Sequence, residues 1–167
     1  MSGNEMKYIQ EAFDTNWVVP LGPNVDGFEH DLEAFVGQNK QVVALSSGTA
    51  AVHLALIACG VQAGDEVMVQ SFTFCASSHP VTYLGATPVF VERDTWNMDP
   101  VLLDEAIADR IAKTGRKPKA IIPVYLYGMP GKIKEILAVA AKYGIPVIED
   151  AAEGFGSRYD GKVVGTF

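Results

Sequence analysis

The chain has 167 residues, of which 49% are hydrophobic and 20% are charged, and its formal net charge is −7. This length and hydrophobic content suffice for one domain with a large core, and an acidic chain without a basic patch argues against a nucleic-acid partner. Two cysteines, three scattered histidines, and the absence of a signal peptide or spanning apolar stretch argue against a metal site, secretion and membrane insertion, and favour a reducing cytoplasm.

The N-terminal part is predicted to form two short helices joined by a loop. Apolar residues recur at helical spacing over 5–13 and 27–36, and the loop between them runs from Trp17 to Asn24. This pattern divides the chain into an N-terminal segment, residues 1–38, and an α/β portion, residues 39–167.

From residue 39 onward, short apolar runs alternate with helical patterns. Continuous rather than alternating apolar runs are typical of parallel strands covered on both faces, and the intervening helices suit βαβ crossovers. Asp99 and Pro100 mark one helix start as N-cap and first helical residue, and Asp160-Gly161 predicts a hairpin turn. The predicted strands are 41–45, 67–69, 88–91, 120–124 and 146–148, and the predicted helices are 50–59, 74–84, 100–113 and 131–143. The expected fold is a three-layer α/β/α domain with a mainly parallel sheet.

A turn rich in glycine and hydroxyl groups, LSSGTAA at residues 45–51, lies between the first predicted strand and an apolar helix. The free N–H groups of a helix start and the positive end of its dipole bind anions, and phosphate suits such a turn. Serine and threonine are also common as ordinary N-caps. From these residues alone, a phosphate cradle and a simple cap both remain open.

A second candidate site follows the strand IPVI at 145–148, which ends in Glu149 and Asp150. In parallel α/β sheets, ligands bind outside the carboxyl ends of the strands, so Asp150 and the glycine turn are expected to face one pocket. A phosphate cradle with a carboxylate suits a ligand that has a phosphate and a cationic nitrogen, as pyridoxal phosphate has. For Asp150 alone, a helix cap or a surface acid is the alternative.

Several motifs in order resemble the DegT family of sugar-nucleotide aminotransferases, which are fold type I pyridoxal phosphate enzymes. The matching segments are 21–23 with 28–29, 46–51, 64–67, 71–74, 85–90, 126–128, and 148–152 with Gly165. The resemblance implies that the chain is part of the large, cofactor-binding domain, incomplete at its C-terminus and without the small C-terminal domain. Within the family, residues 16–22 and the run EDAAEG at 149–154 are most similar to 4-aminotransferases that act on UDP-linked 4-keto-6-deoxy-N-acetylhexosamines.

The resemblance also implies roles for individual residues. Asp150 would pair with the pyridine nitrogen, Phe74 would stack on the cofactor ring, and Glu153 occupies a position where His or Gln often contacts the ring hydroxyl. From the sequence alone, Phe74 would equally pass as a core residue. The residues implied for the phosphate are Gly48, Thr49 and Ala50, and those implied for the substrate are Trp17, Leu21 and Gly22.

The lysine that forms the Schiff base in this family is expected beyond Phe167, so no catalytic residue is assigned within the chain. Lys162 falls in a hairpin turn, and Lys132, Lys134 and Lys142 fall in one helical stretch, so none is expected to replace it. The isolated chain is therefore expected to be inactive, with the activity belonging to a longer parent. The family's sheet also places two later strands beside strand 41–45, so we expect a gap in the sheet or another way of closing it.

The expected reaction of the parent is transfer of an amino group, from a donor such as glutamate, to a keto group of a nucleotide-linked deoxysugar. The resemblance also implies a homodimer, which the cysteine content places in the cytoplasm. Two alternatives remain: a sugar dehydratase of the same family, in which His replaces the lysine, and a non-catalytic ligand-binding fragment. A nicotinamide dehydrogenase is disfavoured, because Gly154 and Gly156 lack the further glycine of the dinucleotide motif.

Overall fold

A computed structural model describes residues 1–37, 39–91, 93–94 and 96–167, with the side chains of 93 and 94 left out of the description. The described chain forms two compact units, Met1–Leu45 and Ser46–Phe167. The division expected from the sequence falls earlier, at Gln38, which lies outside the described residues. No described helix is long and apolar enough to cross a membrane.

The first unit contains the two predicted helices, α1 (Glu5–Asp14) and α2 (Pro23–Val36). Helix α2 begins four residues earlier than the apolar pattern predicts, because Pro23 supplies a favourable first helical residue. The prediction of a strand over 41–45 is wrong, since this segment forms no regular secondary structure. Its Val42 and Ala44 N–H groups donate instead to the carboxylates of Glu33 (3.1 Å) and Glu29 (2.7 Å) on α2. An extended segment forms a ladder only beside another strand, and no strand of the described residues pairs with it.

The second unit alternates helices and short strands. Cys75–Ser77 and Leu126–Gly128 are single 3₁₀ turns. In chain order the other elements are α3 (Gly48–Ala58), β1 (Glu66–Gln70), α4 (His79–Tyr83), β2 (Thr87–Val91), β3 (Arg93–Asp94), β4 (Asn97–Met98), α5 (Pro100–Thr114), β5 (Ala120–Ile122), α6 (Ile133–Tyr143), β6 (Arg158–Tyr159) and β7 (Lys162–Val163).

The central sheet is parallel and has the order β2-β1-β5, with Met68 of β1 opposite Val89 and Ile121. The predicted strand at 146–148 lies beside β5 but forms only isolated bridges, Ile121–Val147 and Val124–Asp150. Hydrogen bonds join Asp150 N–H to the Pro123 carbonyl (3.0 Å) and Tyr125 N–H to the Asp150 carbonyl (3.1 Å). The ladder is interrupted between these pairs because Pro123 has no N–H to donate.

Successive residues of β1 point to opposite faces of the sheet, as the continuous apolar run predicts. Val67 and Val69 belong to a core with Val52 and Leu56 of α3. Met68, between them, belongs to a second core with side chains of α5 and α6, including Leu103, Ile107 and Ile136. The sheet is therefore covered on both faces, which confirms the three-layer α/β/α arrangement.

Two local predictions are confirmed and one is wrong. The Asp99 side chain caps α5 by accepting from the Val101 and Leu102 N–H groups, and the 160–161 turn has positive φ at both residues, as a type I′ hairpin requires. The single helix predicted over 74–84 is instead a 3₁₀ turn followed by the short α4. Pro80 lies in the first turn of α4, and because it lacks an N–H, it cannot continue a helix from the preceding turn.

Candidate functional site

One cavity of about 120 Å³ in the second unit is lined by four separate parts of the chain. They are the start of α3, the segment that follows β1, Val124 just after β5, and the segment that begins where the interrupted strand beside β5 ends. The carboxyl ends of parallel strands meet at one edge of a sheet, which explains why the segments that follow β1, β5 and the interrupted strand converge. The lining residues are Gly48, Val52, Thr73, Phe74, Ala76, Val124, Asp150, Ala152 and Glu153.

The glycine turn forms a helix start with unused N–H donors. Ser47 is extended and caps α3, its hydroxyl accepting from the Ala50 N–H at 3.2 Å. The Ala50 N–H, which the resemblance assigned to a phosphate, therefore has a partner within the chain. The N–H groups of Gly48 and Thr49 have no acceptor among the described residues, and no atom lies within 4 Å of where a Cβ on Gly48 would be. An anion can thus approach these two donors closely.

Asp150 is held from two sides. One carboxylate oxygen, Oδ2, accepts from the Ser77 hydroxyl at 2.6 Å, and the other, Oδ1, accepts from the Ala152 N–H at 3.3 Å. The side chain is half-buried and lines the cavity together with Gly48. The predicted juxtaposition of Asp150 with the glycine turn is therefore present in the structure, and a simple surface acid does not describe this residue.

Phe74 is not a core residue. Its side chain is 69% exposed, and it lines the same cavity. The alternation of Phe72 and Phe74 suggested core packing only because the sequence does not show that β1 ends at Gln70. Beyond the strand, the phenyl ring is left as an accessible aromatic face beside the cavity.

Glu153 also lines the cavity and has a partner within the chain. Its carboxylate accepts from the Tyr127 N–H at 2.6 Å. Tyr127 has a φ of 55°, a conformation that is costly for a residue with a Cβ. Sequence reasoning considered Glu153 only as a contact to a ligand, whereas here it also stabilises this turn.

Two further hydrogen-bonded pairs at this edge of the sheet were not predicted from the sequence. Tyr125, fully buried, donates its hydroxyl to Glu149 at 2.5 Å, and burial together with this bond raises the pKa of Tyr125 above its ordinary value. Glu149 also accepts from the N–H groups of Gly165 and Phe167 and so ties that segment to the sheet edge.

The second pair is Ser77 with Asp150. Nothing in the sequence distinguishes Ser77 from its neighbour Ser78. The acidic pair at the strand end was the only signal that carboxylates here need donors.

The residues implied for the substrate lie in the first unit. Trp17, Leu21 and Gly22 line a separate cavity of about 130 Å³. Gly22 has a φ of 135°, and a Cβ there would lie 2.9 Å from the Trp17 ring, so the loop requires glycine at this position. The sequence placed these three residues in one loop, and the structure brings them together around one cavity of this unit.

No described lysine lines the cavity that contains Asp150. Lys134 pairs with Asp160, Lys142 binds both carboxylate oxygens of Asp104 at 2.8 Å, and Lys162 lies over the Phe167 ring. Within the described residues, no three His, Cys, Asp or Glu side chains form a group that could hold a metal ion.

Comparison with known proteins gives consistent matches over the whole chain. The profile of the DegT/DnrJ/EryC1/StrS aminotransferase family matches residues 1–167. EpsN of Bacillus subtilis (strain 168) is 51% identical over all of this chain and 43% of its own length, and GDP-perosamine synthase of Escherichia coli O157:H7 is 41% identical over all of this chain and 44% of its own. Among solved structures, DesV of S. venezuelae in complex with a ketimine intermediate has a TM-score of 0.83 and 34% identity, covering 99% of this chain and 44% of DesV.

The chain spans less than half the length of these relatives. The family profile nevertheless covers every residue, in agreement with the motifs, the doubly covered parallel sheet and the cavity at its carboxyl edge. The chain belongs to the DegT/DnrJ/EryC1/StrS aminotransferase family.

Proposed function

We propose that the full-length protein is a pyridoxal phosphate-dependent aminotransferase that transfers an amino group to a keto group of a nucleotide-linked sugar. The single observation that carries this proposal is the cavity in which free helix N–H donors and the Asp150 carboxylate occur together. An acidic group beside an anion site disfavours a simple phosphate ester, but suits a ligand that also carries a cationic nitrogen. Family membership, with relatives that include perosamine synthases, supports the reaction class.

The residues present fit pyridoxal phosphate. The Gly48 and Thr49 N–H groups would hold the phosphate, and the open space at Gly48 allows close approach. Asp150 would accept a hydrogen bond from the protonated ring nitrogen, and the exposed Phe74 face would stack on the ring. When bound, the cofactor supplies an electron sink and carries the amino group between donor and acceptor.

The chain's own contribution to the reaction is orientation and charge. Asp150, fixed at both oxygens, would keep the proton on the ring nitrogen, which makes the ring more electron-withdrawing. Glu153 lines the cavity while holding the Tyr127 N–H, so it would couple the shape of the 126–128 turn to the bound ring. Since no described lysine lines this cavity, we propose that the covalent lysine is not among residues 1–167, and that these residues alone do not transfer amino groups.

Finer features of the proposal come from the sequence. We propose glutamate as the donor, a nucleotide-linked 4-keto-6-deoxysugar as the acceptor, a cytoplasmic homodimer, and a substrate role for Trp17, Leu21 and Gly22. The cavity around these three residues supports the last point, since an exposed indole beside a glycine offers a flat apolar surface for a sugar or a base. The predicted partition, with residues 39–167 as part of the cofactor-binding domain, belongs to the same proposal.

The test is a titration of the full-length protein with pyridoxamine 5′-phosphate, compared with Asp150→Ala and with the surface control Asp104→Ala. Loss of a charge-assisted hydrogen bond predicts that Asp150→Ala weakens binding about 10- to 100-fold. Asp104 pairs with Lys142 away from the cavity, so its replacement is expected to leave the affinity unchanged.

Amino transfer is then measured by mass spectrometry of nucleotide-linked keto sugars incubated with the loaded protein, with glutamate as donor. The expected results are saturable cofactor binding, with an affinity that depends on Asp150, and an aminated sugar product. A wild-type protein that does not bind the cofactor, or that binds it equally well without Asp150, would refute the cofactor site. Binding without any aminated product would refute the proposed reaction.

A further inference from the structure

A buried hydroxyl lies behind the candidate cofactor carboxylate. Ser77 is 1% exposed, and it ends the 3₁₀ turn Cys75–Ser77. Its Oγ donates to Asp150 Oδ2 at 2.6 Å, a short distance typical of a hydroxyl bound to a charged carboxylate. The two residues are 73 positions apart, so this bond depends on the tertiary structure.

A second hydroxyl fixes the first. Thr73 Oγ1 lies 2.8 Å from Ser77 Oγ. Since the single hydroxyl proton of Ser77 is used toward Asp150, Ser77 accepts in the other bond and Thr73 donates. The result is a directed chain from Thr73 through Ser77 to Asp150.

Ser77, the middle member of this chain, contacts Asp150 from outside the cavity. Asp150 and Thr73 line the cavity, whereas Ser77 does not. The other Asp150 oxygen has only a long bond to the Ala152 N–H, 3.3 Å. The short Ser77 bond is therefore the stronger restraint on the rotation of the carboxylate, and it leaves Oδ1 as the oxygen with spare capacity to accept.

We propose that Ser77 is a positioning residue that orients the Asp150 carboxylate toward the cationic ring nitrogen of the cofactor, and that Thr73 sets the direction of the Ser77 hydroxyl. This inference rests on the proposed function. It predicts an effect that acts through the ring nitrogen alone, because Ser77 itself does not reach the cavity. A merely structural Ser77 would instead affect every ligand of the cavity to the same extent.

The experiment compares two probes on the full-length protein: pyridoxamine 5′-phosphate, and its 1-deaza analogue, in which C–H replaces the ring nitrogen. Dissociation constants are measured for wild type, Ser77→Ala, Ser77→Thr and Ser78→Ala. Ser78 is the matched control, because its hydroxyl donates to the nearby Cys75 carbonyl and to no other group of the described residues. Circular dichroism and thermal unfolding of each variant verify that it is folded.

Ser77→Ala is expected to weaken the binding of pyridoxamine phosphate about three- to tenfold, in line with the loss of one hydrogen bond. It is expected to weaken the binding of the deaza analogue less than about twofold. Ser77→Thr, which keeps a hydroxyl, is expected to restore most of the difference, and Ser78→Ala is expected to change neither constant. Equal losses for both probes, or no loss for either, would overturn the inference.

A second variant keeps the inference falsifiable if Ser77→Ala does not fold. Thr73→Val is nearly isosteric and removes the donor that orients Ser77. Because Thr73 lines the cavity, any loss of its own contacts falls on both probes alike, and a further, smaller loss is expected for pyridoxamine phosphate only. The same loss for the deaza analogue would overturn the directed chain. If the wild-type protein fails to bind pyridoxamine phosphate at all, the proposed function itself fails, whereas normal wild-type binding that Ser77→Ala leaves intact overturns only the role of Ser77.

Discussion

The two walls of the candidate site differ in how much of the chain they require. The anion wall at the start of α3 is made within four consecutive residues, where Ser47 caps the helix and Gly48 and Thr49 keep free N–H groups. The carboxylate wall needs residues far apart in sequence, since Asp150 takes its shortest bond from Ser77. A few neighbouring residues suffice to bind an anion, because any helix start attracts one. Orienting a carboxylate toward one atom of a ring requires hydrogen-bond partners from several elements.

The largest expected effect on stability tests whether the anion wall depends on packing against the rest of the second unit. Leu56 of α3 is fully buried in the same core as Val67 and Val69 of β1, whereas Leu54 is 48% exposed. Leu56→Ala is expected to lower the free energy of unfolding by about 2–5 kcal/mol, because it removes core contacts and leaves a cavity.

The measurement is a urea titration, with Leu54→Ala as the control that changes the same side chain on the exposed face. Leu54→Ala is expected to cost much less. Similar losses in the two variants would show that packing against the sheet does not hold the anion wall in place.

Tyr125 is a buried phenol next to the carboxylate wall, with its N–H bound to the Asp150 carbonyl. The pKa of Tyr125 is raised by burial and by its bond to Glu149, whereas an unfolded tyrosine ionises near pH 10. The unfolded chain therefore loses this proton first as the pH rises. The stability that the neutral phenol provides is complete below about pH 10 and is lost progressively above it.

Unfolding free energies measured from pH 8 upward are expected to decline less steeply above about pH 10 for Tyr125→Phe than for wild type. Tyr8→Phe, at an exposed position of α1, is expected to leave the slope unchanged. Parallel alkaline slopes for wild type and Tyr125→Phe would contradict the assignment of this effect to the buried phenol.

The smallest effect is expected at the cap of the anion wall. Ser47→Ala removes the acceptor of the Ala50 N–H and is expected to cost about 1 kcal/mol of stability, as other N-cap replacements do. Ser46→Ala, one residue earlier, is the control, because the Ser46 hydroxyl makes no side-chain bond in the described part of the chain. If both serines prove equally costly in thermal unfolding, the cap is not the source of the stability.

Local signals in the sequence were reliable where short-range physics decides the structure. The helix after the glycine turn, the Asp99-Pro100 helix start and the Asp160-Gly161 hairpin all depend on residues within one or two turns of each other. The same holds for the doubly covered sheet, because a continuous apolar run such as 67–69 can be buried only if both faces are packed.

The errors arose where one residue acts at a distance or interrupts a pattern. Pro80 divided the predicted helix over 74–84, and Pro123 interrupted the ladder beside β5. The segment 41–45 has the composition of a strand, but its N–H groups bind the carboxylates of Glu29 and Glu33. Strand composition describes what a segment can pair with, not whether a partner lies beside it.

The sequence by itself determined the family, the layered fold, and the glycine turn and Asp150 as the two parts of the candidate site, because these depend on residue type and on spacing along the chain. Only the tertiary structure decided how Asp150 is held, that Phe74 is exposed, and that Glu153 also stabilises the Tyr127 turn. The physical reason is the range of the interactions. Caps, turns and apolar faces are set within a few residues, whereas the orientation of a carboxylate depends on donors that folding brings from distant parts of the chain.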